Sequence, residues 1–349
     1  MAHLRNSQGG PLMPRLLDMP TATIRPLPVT APSGPKHGIP RNPRTPRITR
    51  TSRIARTSRI LRLCFEESRP AVLAAFQLRY FAGTALAIAS VPEISGRSVL
   101  QAVFGSAAWF GAIFYTYLYN GCMDYREDRV NGSARPIASG RLSRGTALNV
   151  ARCSAAAALL SAAAAGLGTL VLCAAMLLLG HAYSSPRTAW KNRTPSVMAV
   201  VFVSGLLTYA AGPLTLGVQP QSPALLLTAL AMSLWMALVG AVAKDFSDIA
   251  GDAAAGRRTW AVALGERRTR VLVALGACAV GGGFTAGALR WAPEQLPTAC
   301  VVLVGGLALS AVTLAGRATD SRHQRRRPYR YFMVTQHAAH LALLTQALV

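Results

Sequence analysis

The chain has 349 residues, of which 52% are hydrophobic and only 14% charged, against roughly 25% charged in ordinary soluble domains. The charges are unequal, with 37 Lys and Arg against 13 Asp and Glu and a formal net of +24. This argues against a soluble globular enzyme and excludes disorder over the whole chain, which needs low hydrophobicity. A nucleic-acid binder with clustered basic residues and a multi-span membrane protein with basic loops remain.

The first stretch, residues 1–65, is rich in Arg, Pro, Ser and Thr. Residues 1–62 hold twelve Lys and Arg and a single acid, Asp18, and from Arg41 to Arg62 an arginine recurs at every third position. Such a segment buries too little apolar surface to fold alone, so a disordered basic tail is predicted ahead of a membrane domain at 66–349. An anionic-lipid tether, a transit peptide, a nucleic-acid arm and an extension without function compete for it. On this reading, removal of everything before Ser68 preserves activity.

Beyond residue 66 the chain turns into apolar runs near the ~20 residues that cross a bilayer. Nine are predicted, at 71–92, 98–120, 145–166, 167–184, 196–217, 223–243, 270–290, 297–316 and 330–348. The fold class is therefore all-α: a polytopic bundle of nine transmembrane helices. The loops alternate in character. Those at 121–144, 185–195, 244–270 and 317–330 carry 20 basic residues, while the intervening loops carry two, Arg97 and Arg290. By the positive-inside rule the basic loops and the N-terminus are cytoplasmic, and nine spans put the C-terminus outside, in a plasma-membrane protein. Because the charges interleave with spans, nucleic acid is not an expected partner. The six cysteines are scattered without a CxxC pair, so neither a zinc site nor a disulfide framework is predicted.

Five of the seven aspartates lie in two places, both at cytoplasmic span ends. Asn120, Asp124 and Asp128 stand at i, i+4 and i+8, one stripe if the second span continues as a helix. Asp245, Asp248 and Asp252 stand at i, i+3 and i+7, again on one face. Like charges at this spacing repel, so a fold that keeps them needs compensating cations. Carboxylate oxygens suit Mg2+, which binds one or two carboxylates together with substrate phosphates. Arg135, Lys191, Lys244, Arg257 and Arg258 nearby suit the phosphate oxygens. Solvated salt bridging in a cytoplasmic loop is the plainer reading; two motifs with one-face spacing speak against it.

At these residues the sequence resembles the UbiA superfamily of intramembrane prenyltransferases, whose pattern is Asn-x-x-x-Asp-x-x-x-Asp after the second helix and Asp-x-x-Asp-x-x-x-Asp after the sixth. Arg135-Pro136 with Ser139-Gly140, Gly256 through Thr259 with Gly265, Tyr183-Ser-Ser-Pro186-Arg187 with Lys191, and Arg69-Pro70 extend the likeness over residues 66–349. Gly121 departs from it, since many members have a second acid there. The motif form looks most like the branches acting on homogentisate, chlorophyllide or glycerol lipids. The resemblance implies a helical bundle around a central chamber and transfer of a prenyl group from a polyprenyl diphosphate to an aromatic, quinone-precursor or lipid-like acceptor. It implies Mg2+ held by Asp124, Asp128, Asp248 and Asp252 with Asp245 nearby, and a diphosphate held by Arg69, Asn120, Arg135, Tyr183, Arg187, Lys191 and Lys244. The bilayer is the expected surrounding, and no obligate protein partner is evident.

An aromatic stripe of Phe110, Phe114 and Tyr117 in the second span offers a wall for an allylic cation or ordinary interhelical packing. Arg79, a charge inside the first span, is a functional candidate for holding an acidic acceptor group. His337 and His340 share a face of the last run and are read as hydrogen-bonding within the bundle. Three alternatives stand beside the aromatic prenyltransferase: a membrane terpene cyclase of the same fold, a transferase with a glycerol-phosphate or chlorin acceptor, and a transporter or scaffold.

Overall fold

The computed structural model describes residues 50–88, 91, 95–317 and 319–346; the earlier part of the basic tail lies outside the described residues. The described chain is helical, and its only strand-like pairing is an isolated bridge between Arg193 and Arg258. In order come α1 (Arg50–Glu67), α2 (Pro70–Ile88), α3 (Gly96–Met123), the short α4 (Tyr125–Val130), α5 (Arg144–Ala165), α6 (Leu167–Ser184) and α7 (Thr194–Thr215). A sixth long helix follows as α8 (Pro223–Leu234), a π turn (Trp235–Gly240) and α9 (Ala241–Asp245). Then come α10 (Ile249–Ala254), α11 (Trp260–Ala263), α12 (Glu266–Trp291), α13 (Leu296–Leu314), α14 (Arg322–Arg325) and α15 (Arg327–Gln346).

Local sequence sets the starts of the long helices. Ser95, Ser143 and Ser222 each accept from the backbone N–H three residues on, at 3.2, 3.1 and 3.2 Å, satisfying one of the N–H groups that a helix start leaves without a partner. Pro223 stands at a first-turn position, where its missing N–H costs nothing.

Among the described residues, eight helices are long and apolar enough to cross a membrane. Each coincides with one of the first eight predicted runs. The ninth run is also a helix, α15, but Arg327, Arg330, Gln336, His337 and His340 leave it too polar to count with the eight; it packs against α13 and α2. Outward-facing Leu160, Leu178, Val304 and Val334 are two-thirds or more exposed, an apolar surface that suits lipid. Close helix contacts rest on small residues. A Cβ on Gly83 of α2 would stand 2.3 Å from the Tyr209 carbonyl oxygen of α7, so only glycine fits there.

The predicted disorder through residue 65 is corrected for its last part. Residues 50–67 form α1, whose Leu63 and Cys64 are buried against Leu118, Cys122, Ile137 and Leu142. Composition judged this segment as if it had to fold alone, whereas its apolar residues are covered by the end of α3, the loop after it and the start of α5.

Candidate active site

The two acidic motifs are brought face to face. The second span does not continue straight through the first motif: α3 stops at Met123, Asp124 takes a non-helical conformation, and α4 follows. The backbone nevertheless keeps its i to i+4 bonds, Asp124 N to Asn120 O and Asp128 N to Asp124 O, both 2.8 Å, so the predicted spacing survives the break. In the second motif Asp245 closes α9 and Asp248 precedes α10, with Asp252 N donating to Asp248 O at 2.9 Å. The turns are joined where Gly251 N donates to Asn131 Oδ1 at 3.0 Å.

Cations fill the space between the carboxylates. Arg257 reaches both motifs, with Nη2 2.9 Å from Asp124 and 3.3 Å from Glu127 and Nη1 3.2 Å from Asp252. Lys191 Nζ also pairs with Asp124. Its loop is anchored by Arg258 N donating to Asn192 O at 2.8 Å and by Trp260 N donating to Thr194 Oγ1 at 2.7 Å. Arg135 pairs with Asp128 at 2.6 Å, and Arg322 of α14 with Asp248 at 3.1 Å. Among the described residues no three His, Cys, Asp or Glu converge on one point as a ready-made metal cage. An all-oxygen donor set split over two facing turns still fits Mg2+, which relies on a substrate phosphate for part of its shell.

Burial and these cations act in opposition. Burial alone would raise the Asp124 carboxyl, but Lys191 and Arg257 together outweigh it and hold the group below the usual carboxylate value. At Asp252 burial wins over Lys244 and Arg257, and the carboxyl lies above that value.

Beside the motifs a cavity runs into the bundle between α2, α3, α6, α7, the π turn with α9, and α15. Arg69, Asn120, Tyr183 and Lys244 line its charged end. The π turn one step before Lys244 and Asp245 changes their angular placement on the helix. Phe76, Tyr117, Tyr329 and Phe332 supply aromatic surface, with Phe76 and Tyr117 edge to face at 6.2 Å. Arg79 also lines the cavity. It is 1% exposed, donates to Gln336 Oε1, lies 4.9 Å from the centre of the Phe76 ring, and keeps its buried Nε without a partner. Among the described residues it pairs with no carboxylate.

Two sequence assignments do not reach this site. Arg187 is exposed and does not line the cavity. Of the stripe on α3, only Tyr117 faces the cavity. The cavity residues of α3 are Ile113, Thr116, Tyr117 and Asn120; Phe114 lies roughly 60° around the helix from Tyr117, and Phe110, nearly in line with Tyr117, stands about two turns away along the axis. Phe110 is 39% exposed and lines an outer groove between α2 and α3, while Phe114 packs beneath the surface. The sequence did not mark Phe76, one turn before Arg79 on α2, or Tyr329 and Phe332 on α15, a helix it did not connect to the site, or the bridging role of Arg257, whose position beside the second motif was the available signal. The histidines do hydrogen-bond within the bundle: His340 Nε2 lies 2.6 Å from Tyr209 Oη, and His337 Nδ1 2.6 Å from Met333 O.

Residues 79–335 match the model of the UbiA prenyltransferase family. The chain is 32% identical over 241 residues to somaliensene A/B synthase of Streptomyces somaliensis, covering 67% of this chain and 76% of that one. It is 30% identical over 190 residues to the chloroplastic 2-acylphloroglucinol 4-prenyltransferase of Humulus lupulus, covering 52% of this chain and 46% of that one. The fold resembles a UbiA homologue from Archaeoglobus fulgidus bound to GPP and Mg2+, with a TM-score of 0.64 at 17% identity over 82% of this chain and 100% of that one. The chain belongs to the UbiA prenyltransferase family and is an integral membrane protein.

Proposed function

We propose that this protein is a Mg2+-dependent enzyme that transfers a polyprenyl group from a polyprenyl diphosphate to an aromatic or quinone-precursor acceptor. The observation that carries the reading is the meeting of the two acidic turns, bridged by Arg257, at the charged end of a cavity with apolar and aromatic walls. Asp124, Asp128, Asp248 and Asp252, with Asp245 alongside, would hold Mg2+, which neutralises the leaving diphosphate. Arg69, Asn120, Tyr183, Lys191 and Lys244 bind and orient the diphosphate oxygens, and Arg135 supports them through Asp128. Their charge is most useful as the allylic C–O bond breaks and negative charge gathers on the leaving group. The prenyl chain lies inward along Phe76, Tyr117 and Phe332, whose ring faces stabilise the allylic cation, and the closed bundle excludes water that would trap it as an alcohol. An acceptor ring carbon then forms the new bond and loses its proton. Arg79 and Gln336 face the acceptor. The basic loops, and with them the site, lie on the cytoplasmic side.

A terpene cyclase is the second reading, favoured by the somaliensene synthase relative and by the aromatic lining. The deciding experiment incubates the full-length protein in lipid nanodiscs with labelled C10, C15 and C20 diphosphates and Mg2+. Acceptors are homogentisate, 4-hydroxybenzoate, a glycerol phosphate lipid, or none. Prenylated aromatic product is expected. A cyclic hydrocarbon formed without acceptor sinks the transferase reading, and product only with the glycerol lipid moves the acceptor class.

A further inference from the structure

Glu67 is a carboxylate outside both acidic motifs. It closes α1 and is wholly buried. Its Oε1 stands 2.8 Å from Arg135 Nη2 as an ion pair outside hydrogen-bond geometry, and its Oε2 accepts from Ile137 N at 2.9 Å. The Glu67 backbone carbonyl accepts from Arg135 Nη2 at 2.8 Å. The other end of the same guanidinium, Nη1, donates to Asp128 Oδ2 at 2.6 Å. One cation is thus fixed between α1 and the first acidic motif, and a buried group held from two sides has little freedom to adopt another rotamer.

The room for this arrangement comes from Gly121. A Cβ there would stand 2.3 Å from Glu67 Oε1 and 2.6 Å from Arg135 Nη2, so any side chain at 121 would push this ion pair out of place. Two residues beyond Glu67 the chain turns from α1 into α2 at Arg69, a non-glycine residue with φ of +60°. Such a conformation is strained and persists only where surrounding structure enforces it. Here it places Arg69 in the cavity lining. The end of α1 is therefore tied to the site twice, through Arg135 and through Arg69.

We propose that Glu67 is a positioning residue of the active site: from α1, in the place left by the side-chain-free Gly121, it supplies the carboxylate that fixes Arg135 against Asp128. This makes α1 part of the catalytic unit, and removal of residues before Ser68 abolishes activity instead of preserving it. The inference rests on the prenyl-transfer reading.

The test uses the full-length protein in nanodiscs with geranylgeranyl diphosphate, Mg2+ and the acceptor chosen by the screen. Glu67→Gln and Gly121→Ala are each expected to raise at least tenfold both the KM for the diphosphate and the Mg2+ needed for half-maximal rate. Glu67→Asp recovers part of that loss. The relocated carboxylate of the double variant Glu67→Ala/Gly121→Asp recovers more than Glu67→Ala alone. Glu67→Gln added to Arg135→Gln produces no further loss, because the first acts through the second. Should Glu67→Gln fail to fold, Gly121→Ala and Glu67→Asp decide the matter by the same readouts. The proposal is overturned by wild-type KM and Mg2+ requirement in folded Glu67→Gln. It is equally overturned by a variant that loses thermal stability alone, or by independent, additive losses at positions 67 and 135. A wild-type protein inert toward all three diphosphates sinks the prenyl-transfer reading itself and this role with it, a result distinct from any variant-specific outcome.

Discussion

The two acidic turns share a residue type, a helical spacing and a bridging arginine, yet their carboxyls move in opposite directions. Asp124 touches two cations, Lys191 and Arg257, and is held below the usual range; Asp252 touches Arg257 alone at 3.2 Å and lies above it. Burial raises both; at Asp124 the Lys191 contact adds to Arg257, whereas at Asp252 the Asp248 carboxylate works with burial against Lys244 and Arg257. Before substrate binds, the first turn is a charged, paired element. The second is one where burial outweighs the cations and the carboxyl holds its proton more tightly than usual.

The largest effect that tests this pairing of turns is loss of the chemistry. Asp124→Ala and Asp252→Ala are each expected to slow diphosphate release from labelled geranylgeranyl diphosphate by at least about 100-fold. Activity within tenfold of wild type in either variant would mean that only one turn serves the leaving group. Next comes the shared cation. Arg257→Gln leaves Asp124, Glu127 and Asp252 facing one another, which costs about 3 kcal/mol when a buried pair loses one partner. Thermal unfolding without Mg2+ should show that loss, and millimolar Mg2+ should restore part of it by binding the folded state. A loss that Mg2+ cannot reduce would break the idea that the ion takes over from the arginine.

Acidity sharpens the contrast further. Because Asp124 lies below its unfolded value, the stability it contributes is present above the unfolded pKa and disappears as pH falls through the folded one. Asp252 lies above its unfolded value, so its contribution is present below the unfolded pKa and disappears as pH rises through the folded one. Without Mg2+ at pH 8, Asp124→Asn should therefore lower the midpoint of thermal unfolding, whereas Asp252→Asn should leave it unchanged or raise it. The Mg2+ affinity of the wild type should weaken on acidification through the Asp252 range first, and Asp252→Asn should remove that limb of the profile. Equal losses of stability in the two variants would show that the turns are electrostatically alike.

Much of this was legible in the sequence because the physics is local. Span length and loop charge are read residue by residue, and i, i+4 spacing puts Asn120, Asp124 and Asp128 in register whether or not the helix bends at Asp124. What crosses between helices was hidden. No local spacing links Lys191 to Asp124 across 67 positions, which only the family resemblance put in one site, or marks Phe332 as a wall residue. Gly121 stood out as a departure, and its cause, the Glu67 carboxylate lying where a Cβ would be, sits on another helix. The Arg-rich composition of residues 50–65 concealed α1 because composition averages over residues and cannot see a neighbouring surface. Placement on the helix was the other limit. Phe110, Phe114 and Tyr117 share a face, but the rotation of α3 in the bundle, and the level at which the cavity meets it, are set by its neighbours.

That placement gives the smallest predicted effect. Tyr117 lines the cavity beside Phe76, while Phe110 lines an outer groove and is 39% exposed. If the aromatic lining stabilises an allylic cation, Tyr117→Leu removes about 0.5–2 kcal/mol from the transition state, or roughly 2- to 30-fold in single-turnover rate. Packing volume is largely kept, and stability should change little. Phe110→Leu, the same kind of change one and a half to two turns away on the same helix, should leave the single-turnover rate within a factor of two. The pair controls for general loosening of α3, since both variants perturb it. Equal slowing in both would return the aromatic stripe to ordinary packing, and a slower Phe110→Leu alone would mean that the reactive end of the prenyl chain approaches the outer groove instead of the cavity.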